Sequence, residues 1–255
     1  MLLLVSAGSA FAAAKVRFVH AVPGADPATL TVSVDGARAT TPPVAFGSAS
    51  APLEVAAGTG KLTAASGGKT LATNEQELED GRSYTVVAIQ KQPKDPKLGV
   101  SLSVFPDAVA EDGKALVRAI NVAPELGEPD VRVDDTVIAP KLAYAEASEY
   151  TDVTPGAHDV IVTRAGGSGG ALATDDGVPL TAGTATTAVV LGSGGEMMRV
   201  LTLADGSAAP PGAPATGFGG LAGDGGGPSR VAVALIAALL GAALGTAGWA
   251  LGGRR

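Results

Sequence analysis

The sequence predicts an all-β protein: two tandem immunoglobulin-like antiparallel β-sandwich domains, with an N-terminal signal segment and a C-terminal transmembrane helix. Three observations support this prediction. Short runs alternate apolar and polar residues, several phrases recur about a hundred residues further along the chain, and both ends carry apolar segments. The predicted domains cover residues 15–108 and 114–206.

Alternation is clearest in the stretch TLTVSVDG, where Leu30, Val32 and Val34 are separated by small polar residues. A period of two gives a strand one apolar and one polar face. Asp35-Gly36 then supplies a turn. About seven such short β-branched runs per domain, with no amphipathic helical pattern between them, favour a sandwich.

The duplication is visible in paired phrases. VRFVHAVPGA, residues 16–25, returns as VRAINVAPEL, residues 117–126, and AFGSAS, residues 45–50, returns as AYAEAS, residues 143–148. GRSYTVVAIQ likewise matches GTATTAVVLG. The repeat is longer than that of a solenoid, so tandem domains are expected.

The phrases VRFVHAVPGADPATLTVSVDG and DGRSYTVVAI resemble the bacterial family of domain of unknown function 4397, whose members open on a V-R-x-x-H-A-x-P phrase. The second copy departs from this pattern, since Asn121 stands where the first copy has His20, and PDVRVDD replaces the turn phrase. The resemblance implies secretion, frequent surface anchoring and an all-β fold. It implies no activity.

Residues 1–14 have the character of a signal peptide. An apolar run closes on small residues, and residues 10–12 or 12–14 offer an A-x-A cleavage site. The charged region that normally precedes the apolar run is missing, which indicates that the start codon has been placed too late.

Residues 231–251 form an uncharged run long enough to cross a membrane as a helix. Trp249 suits an interfacial position, and Arg254 and Arg255 place the tail, residues 252–255, in the cytoplasm. Gly241 and Gly245 form a G-x-x-x-G spacing that can pack two such helices.

Residues 207–230 are rich in proline, glycine and alanine, which predicts a flexible stalk. Within it APATG, with Thr216 and Gly217, resembles the LPXTG signal at which sortases cut and join threonine to the cell wall. Alanine replaces the leucine, and a glycine-rich spacer follows. A membrane tether and wall attachment are both open at this point.

The amino-acid composition limits the classes of partner that the chain can bind. The chain has 255 residues, with 25 acidic and 18 basic side chains and a net charge of −7, which disfavours nucleic acid. Cysteine is absent, so the chain has no disulfide and no thiolate chemistry. Aromatic residues make up 4% of the chain, too few to indicate a sugar-stacking surface. We interpret Tyr84, Tyr144 and Tyr150 as core or rim residues.

Catalytic motifs fail on their context. GGSGG around Ser168 fits G-x-S-x-G, but no strand and helix flank it as a nucleophile elbow requires. The G-K-T at residues 68–70 lacks the first glycine of a phosphate-binding loop. We therefore expect no enzyme activity; a loss of turnover on changing Ser168 or His20 to alanine would contradict this.

Metal and polymer sites are also disfavoured. His20 and His158 occupy different places in the repeat, and we interpret each as a hydrogen-bonded turn or strand-end residue. Two acidic pairs, 134–135 and 175–176, lack calcium-loop spacing. KQPKDPK, residues 91–97, is interpreted as protection of a strand edge, with contact to anionic wall polymers as the alternative. We expect no cofactor and no metal.

The functional hypothesis is a secreted, envelope-anchored surface protein with a non-catalytic structural or interaction role. The expected partners are the membrane, through the C-terminal helix, and a cell-wall polymer or another envelope protein. The alternative is a ligand-binding or sensor subunit that acts with a membrane partner through Gly241 and Gly245.

Overall fold

The computed structural model describes residues 13–92, 99–167, 170–192 and 198–207. Contacts divide the chain into two units, residues 1–209 and 210–255, and the second lies outside the described residues. The predicted cleavage site at residues 10–12, the membrane span and the stalk beyond Ser207 also lie outside them. In the alternative cleavage site, residues 12–14, Ala13 and Ala14 belong to the first strand, and Ala14 is fully buried. Ser207, the first residue of the predicted stalk, ends the last strand. Among the described residues, no helix has the length and apolar character needed to cross a membrane.

The first repeat folds into eight strands: β1 Ala13–His20, β2 Ala28–Val34, β3 Ala37–Thr40, β4 Leu53–Ala56, β5 Gly58–Ser66, β6 Lys69–Leu78, β7 Ser83–Gln90 and β8 Val100–Pro106. They form two four-stranded sheets, in the orders β4-β1-β7-β8 and β3-β2-β5-β6.

The second repeat has the same plan: β9 Ala115–Asn121, β10 Asp130–Val133, β11 Thr136–Ala139, β12 Thr151–Val153, β13 Gly156–Thr163, β14 Ala171–Leu180, β15 Thr184–Leu191 and β16 Arg199–Ser207. Its sheets have the orders β12-β9-β15-β16 and β11-β10-β13-β14. A short 3-10 turn covers Ala165–Gly167.

The predicted all-β character and the sandwich are confirmed in the described residues. In β2, Leu30, Val32 and Val34 are buried as their alternation predicts, and they pack with residues of both sheets of the first repeat. Asp35 and Gly36 both have positive φ, 46° and 85°, as the hairpin turn requires. A corresponding core lies between the two sheets of the second repeat.

The prediction of antiparallel sheets is wrong at two strand pairs. The sheets are not purely antiparallel, because β1 pairs with β7 and β9 with β15 in parallel. The strand order also differs from that of an immunoglobulin constant domain, in which the first strand lies beside the second; here β1 lies between β4 and β7. Alternation identifies strands but does not say which sheet each one joins, and a parallel pair needs the long crossover that strands β2–β6 provide.

A third core joins the two repeats. Side chains on the outer faces of β1 and β7 pack against those on β9 and β15; its buried members are Val19, Ala21, Val87, Ile89, Ile120, Val122, Val189 and Leu191. The central strands are therefore buried on both faces, one toward their own sandwich and one toward the other repeat. This contact positions the polar residues described next.

Candidate functional site

Polar residues are buried beside the apolar contact between the repeats. Arg17 in β1 and Arg118 in β9 occupy equivalent positions, and their side chains are 7% and 5% exposed. Each arginine alternates with inward-facing apolar neighbours, so the pleat directs it toward the other repeat. A guanidinium in such a place needs charged partners because burying an unpaired charge is costly.

Each arginine finds its carboxylate in the other repeat. Arg17 Nη2 lies 2.5 Å from Asp205 Oδ1, and Arg118 Nη2 lies 2.7 Å from Asp107 Oδ1. Asp107 directly follows the last strand of the first repeat, and Asp205 lies in the last strand of the second. The two ion pairs thus cross the contact in opposite directions.

Backbone and hydroxyl contacts repeat the same reciprocity. Arg17 Nη1 donates to the carbonyl of Ala204 at 2.6 Å, and Arg118 Nη1 donates to that of Pro106 at 2.8 Å. These carbonyls directly precede the two aspartates. The contact is therefore nearly two-fold symmetric within one chain, as an isologous dimer interface is between two chains.

A threonine completes each half. Thr85 in β7 donates to Asp107 and accepts from Arg17, and Thr187 in β15 donates to Asp205 and accepts from Arg118. We call these two arginines, two aspartates and two threonines the crossed ionic cluster. Its formal charge is zero.

Burial controls the electrostatics of the cluster. It raises the pKa of Asp107 above its ordinary value, and the nearby Asp205 carboxylate raises it further, while Arg17 and Arg118 oppose the shift. The pKa of the Tyr150 hydroxyl, which donates to Asp205 at 2.7 Å, is also raised well above its usual range, mainly by burial. The arrangement holds charges in fixed positions between the repeats.

The family comparison agrees with this two-fold plan. The sequence profile of the family described as domain of unknown function (DUF4397) matches the chain twice, over residues 14–132 and 115–218. The chain belongs to the DUF4397 family. The prediction of two tandem copies is confirmed, and no curated protein matches the chain.

Two solved structures are similar to this DUF4397 protein at low identity. A leucine-rich repeat protein from Bacteroides thetaiotaomicron is 14% identical, with 71% of this chain and 26% of that chain covered and a TM-score of 0.21. This chain thus spans about a quarter of that protein's length. The CBM26 carbohydrate-binding module of Eubacterium rectale Amy13K, solved with maltoheptaose, is also 14% identical, with 78% and 98% covered and a TM-score of 0.25.

The two histidines are hydrogen-bonded. His20 is fully buried, accepts from the amide of Val22 through Nδ1 and contacts the Asp26 carbonyl through Nε2. Burial lowers its pKa. Asn121, its counterpart in the second DUF4397 copy, accepts from Ala123 and donates to Gly127 in the same way. The histidine therefore holds the turn after the strand.

His158 is a partly exposed residue near the start of β13 and does not lie in the preceding turn. Its Nδ1 lies 2.7 Å from Asp134 Oδ2, and the hydrogen bond with this carboxylate raises its pKa. Its Nε2 lies 2.7 Å from the Thr154 carbonyl. The same hydrogen bond is the main cause that lowers the pKa of Asp134.

The two acidic pairs make different hydrogen bonds. Asp134 also accepts from the amide of Asp159, whereas Asp175 accepts from Thr202. The described residues contain no group of three or more potential metal ligands. Ser168, residues 93–97 of the basic loop, Thr216, Gly217, Gly241 and Gly245 lie outside the described residues.

Sequence reasoning missed the crossed ionic cluster. The V-R phrase identifies each arginine only as part of a family signature and indicates no partner for it, and the sequence predicts Tyr150 only as a core or rim residue. One signal was available, because Arg17 and Arg118 recur inside apolar strands, and Asp107 and Asp205 recur at the ends of the two copies.

Proposed function

We propose that this DUF4397 protein is an exported protein of the bacterial envelope with a non-catalytic structural or interaction role. The carrying observation is the order of segments: signal-like residues 1–14, the β-unit, the stalk, the apolar run 231–251 and a basic tail. The strands begin at Ala13 and end at Ser207, so the described fold occupies the chain between the two apolar ends, with Ala13 and Ala14 shared with the signal-like segment and Ser207 shared with the stalk.

The two repeats act in this proposal as one rigid body held away from the membrane. The shared apolar contact and the crossed ionic cluster support this role, because both fix one repeat against the other. A rigid unit on a flexible stalk presents its loops to a neighbour at high local concentration. A cell-wall polymer and another envelope protein are the partners proposed.

Intact mass of the protein from membrane and wall fractions tests the location. Loss of the signal-like segment is expected in both fractions. A chain that retains Arg255 is tethered by the membrane helix, whereas a chain that ends at Thr216 has been cut before Gly217 and joined to the wall. An unprocessed chain dissolved in the cytosol would contradict the proposal.

A sensor or ligand-binding subunit is the second candidate, favoured by the G-x-x-x-G spacing of Gly241 and Gly245. Replacing both glycines with leucine would abolish signalling through a partner helix while the β-unit stays folded. A passive surface protein tolerates the same change, so the pair of variants separates the two candidates.

A further inference from the structure

The two halves of the contact differ at one position. Tyr150 precedes β12 in the second repeat, and Pro52 precedes β4 in the first. The pairing registers establish their equivalence, because Val16 pairs with Leu53 just as Val117 pairs with Thr151. The same place in the repeat therefore carries a phenol ring on one side and a small ring without a hydroxyl on the other.

Tyr150 shows what a phenol does at this place. The guanidinium carbon of Arg118 lies 4.6 Å from the centre of the Tyr150 ring, within range of a cation–π contact. The hydroxyl donates to Asp205 Oδ2 at 2.7 Å and accepts from the amide of Ala108 at 3.3 Å. The arginine thus lies over the aromatic ring, and the hydroxyl of the ring is hydrogen-bonded to the carboxylate.

The equivalent place in the first repeat is open. A cavity of about 520 Å³ lies there. Its lining includes Arg17, Pro52, Ser83, Asp107, Val109 and Asp205, together with Lys15, Glu54 and Tyr84. This volume is within the range of about 300–1,000 Å³ typical of small-molecule sites.

The charged walls of the cavity are incompletely paired. Arg17 Nε is buried without a hydrogen-bond partner. Asp107 engages Thr85 and Arg118 through Oδ1, while its Oδ2 has Arg17 Nη2 only at 4.0 Å. In the second repeat, the equivalent carboxylate is that of Asp205, and its Oδ2 accepts the hydrogen bond from the Tyr150 hydroxyl. The cavity thus presents the arginine and the acceptor without the ring.

We propose that this cavity binds a phenol ring, supplied either by a free phenolic molecule or by a tyrosyl side chain of a partner segment. The ring lies against Arg17 as Tyr150 lies against Arg118, and its hydroxyl donates to Asp107 Oδ2. The contact with the guanidinium favours an aromatic ring over an aliphatic one, and the carboxylate favours a hydroxyl over none. This binding does not require the envelope location proposed above.

Calorimetric titration of the full-length chain with p-cresol, the small-molecule analogue of the tyrosine side chain, tests the site. Saturable binding is expected, and toluene, which lacks the hydroxyl, is expected to bind at least about tenfold more weakly. The peptide Gly-Gly-Tyr-Gly-Gly distinguishes the sources: binding by the peptide supports a tyrosyl ligand, and binding by p-cresol alone supports a free phenolic molecule. Absence of saturable p-cresol binding overturns the proposal.

Variants locate the binding. Pro52→Tyr is expected to fill the cavity with the chain's own ring and abolish p-cresol binding. Val109, which is 59% exposed, lies in the cavity wall, so Val109→Trp obstructs it without touching the core and covers the case in which Pro52→Tyr does not fold. Unchanged p-cresol binding in a folded Pro52→Tyr variant places the ligand elsewhere and overturns the proposal. If Pro52→Tyr does not fold, unchanged binding in Val109→Trp has the same meaning.

A variant that should gain a second binding site supplies the control. Tyr150→Ala removes the ring over Arg118 and opens the same kind of space in the second repeat. A folded Tyr150→Ala variant is expected to bind two molecules of p-cresol, and a stoichiometry that stays at one contradicts the equivalence on which the proposal rests.

Discussion

At the residue scale, the crossed ionic cluster shows how one buried side chain depends on several others. Arg118 supplies donors to Asp107, Thr187 and the Pro106 carbonyl, and only 5% of its side chain is exposed. Removing one partner of a buried pair leaves the other charge without compensation, which costs more than the pair itself contributes. The geometry therefore predicts a large effect from a single truncation.

We expect Arg118→Ala to lower the free energy of unfolding by about 3–5 kcal/mol, as measured by urea denaturation. Lys114→Ala is the control, because Lys114 is 51% exposed in its own ion pairs, and little change is expected there. The double variant Arg118→Met with Asp107→Leu should lose less than the sum of its single changes. Equal losses for Arg118→Ala and Lys114→Ala would contradict the role of the cluster.

His20 makes a second prediction at this scale. Its folded pKa lies below the ordinary value of 6.5, so the unfolded chain takes up a proton first as the pH falls. The stability contributed by neutral His20 is thus present above pH 6.5 and is lost as the pH falls from there through the folded pKa. His20→Asn copies Asn121 of the second repeat and removes this titration.

Urea denaturation at pH 7, 6 and 5 measures the difference. The free energy of unfolding of the unchanged protein should fall more steeply toward pH 5 than that of His20→Asn. The raised pKa of His158 contributes with the opposite sign, but it is common to both proteins and cancels. Parallel pH profiles would show that His20 is not responsible.

At the scale of the element, the sequence predicts strands better than it predicts their neighbours. β2 has one apolar and one polar face, and its alternation predicted its burial correctly. β1 and β7 are buried on both faces, so their runs resemble those of strands covered on each side. What covers the second face is another repeat, and this information is not contained in the period of a single strand.

The candidate site likewise could not be predicted from single strands. Arg17 and Asp205 lie far apart in the chain, and only the packing of one repeat on the other brings them together. The hairpin turn at Asp35, by contrast, depends on two adjacent residues and could be predicted from them. Features that depend on neighbouring residues could thus be predicted from the sequence, whereas contacts between the two copies could be identified only once the fold was known.

At the scale of the whole molecule, each repeat is incomplete without the other. Separation would expose a contiguous apolar face that includes Val87 and Val189, and it would leave Arg17 and Arg118 without their carboxylates. Exposed faces of this kind drive association. The near two-fold symmetry of the contact adds a specific expectation, because each repeat offers a surface that suits a copy of itself.

We therefore predict that fragments covering residues 13–113 and 114–207 form dimers or larger assemblies when expressed singly, and combine one to one when mixed. Analytical ultracentrifugation measures both outcomes. The intact chain should unfold in one calorimetric transition, since the repeats share a core. Two stable monomeric fragments, together with two separate transitions of the intact chain, would mean that the contact between the repeats is dispensable, and the rigid body on which the proposed function depends would not form.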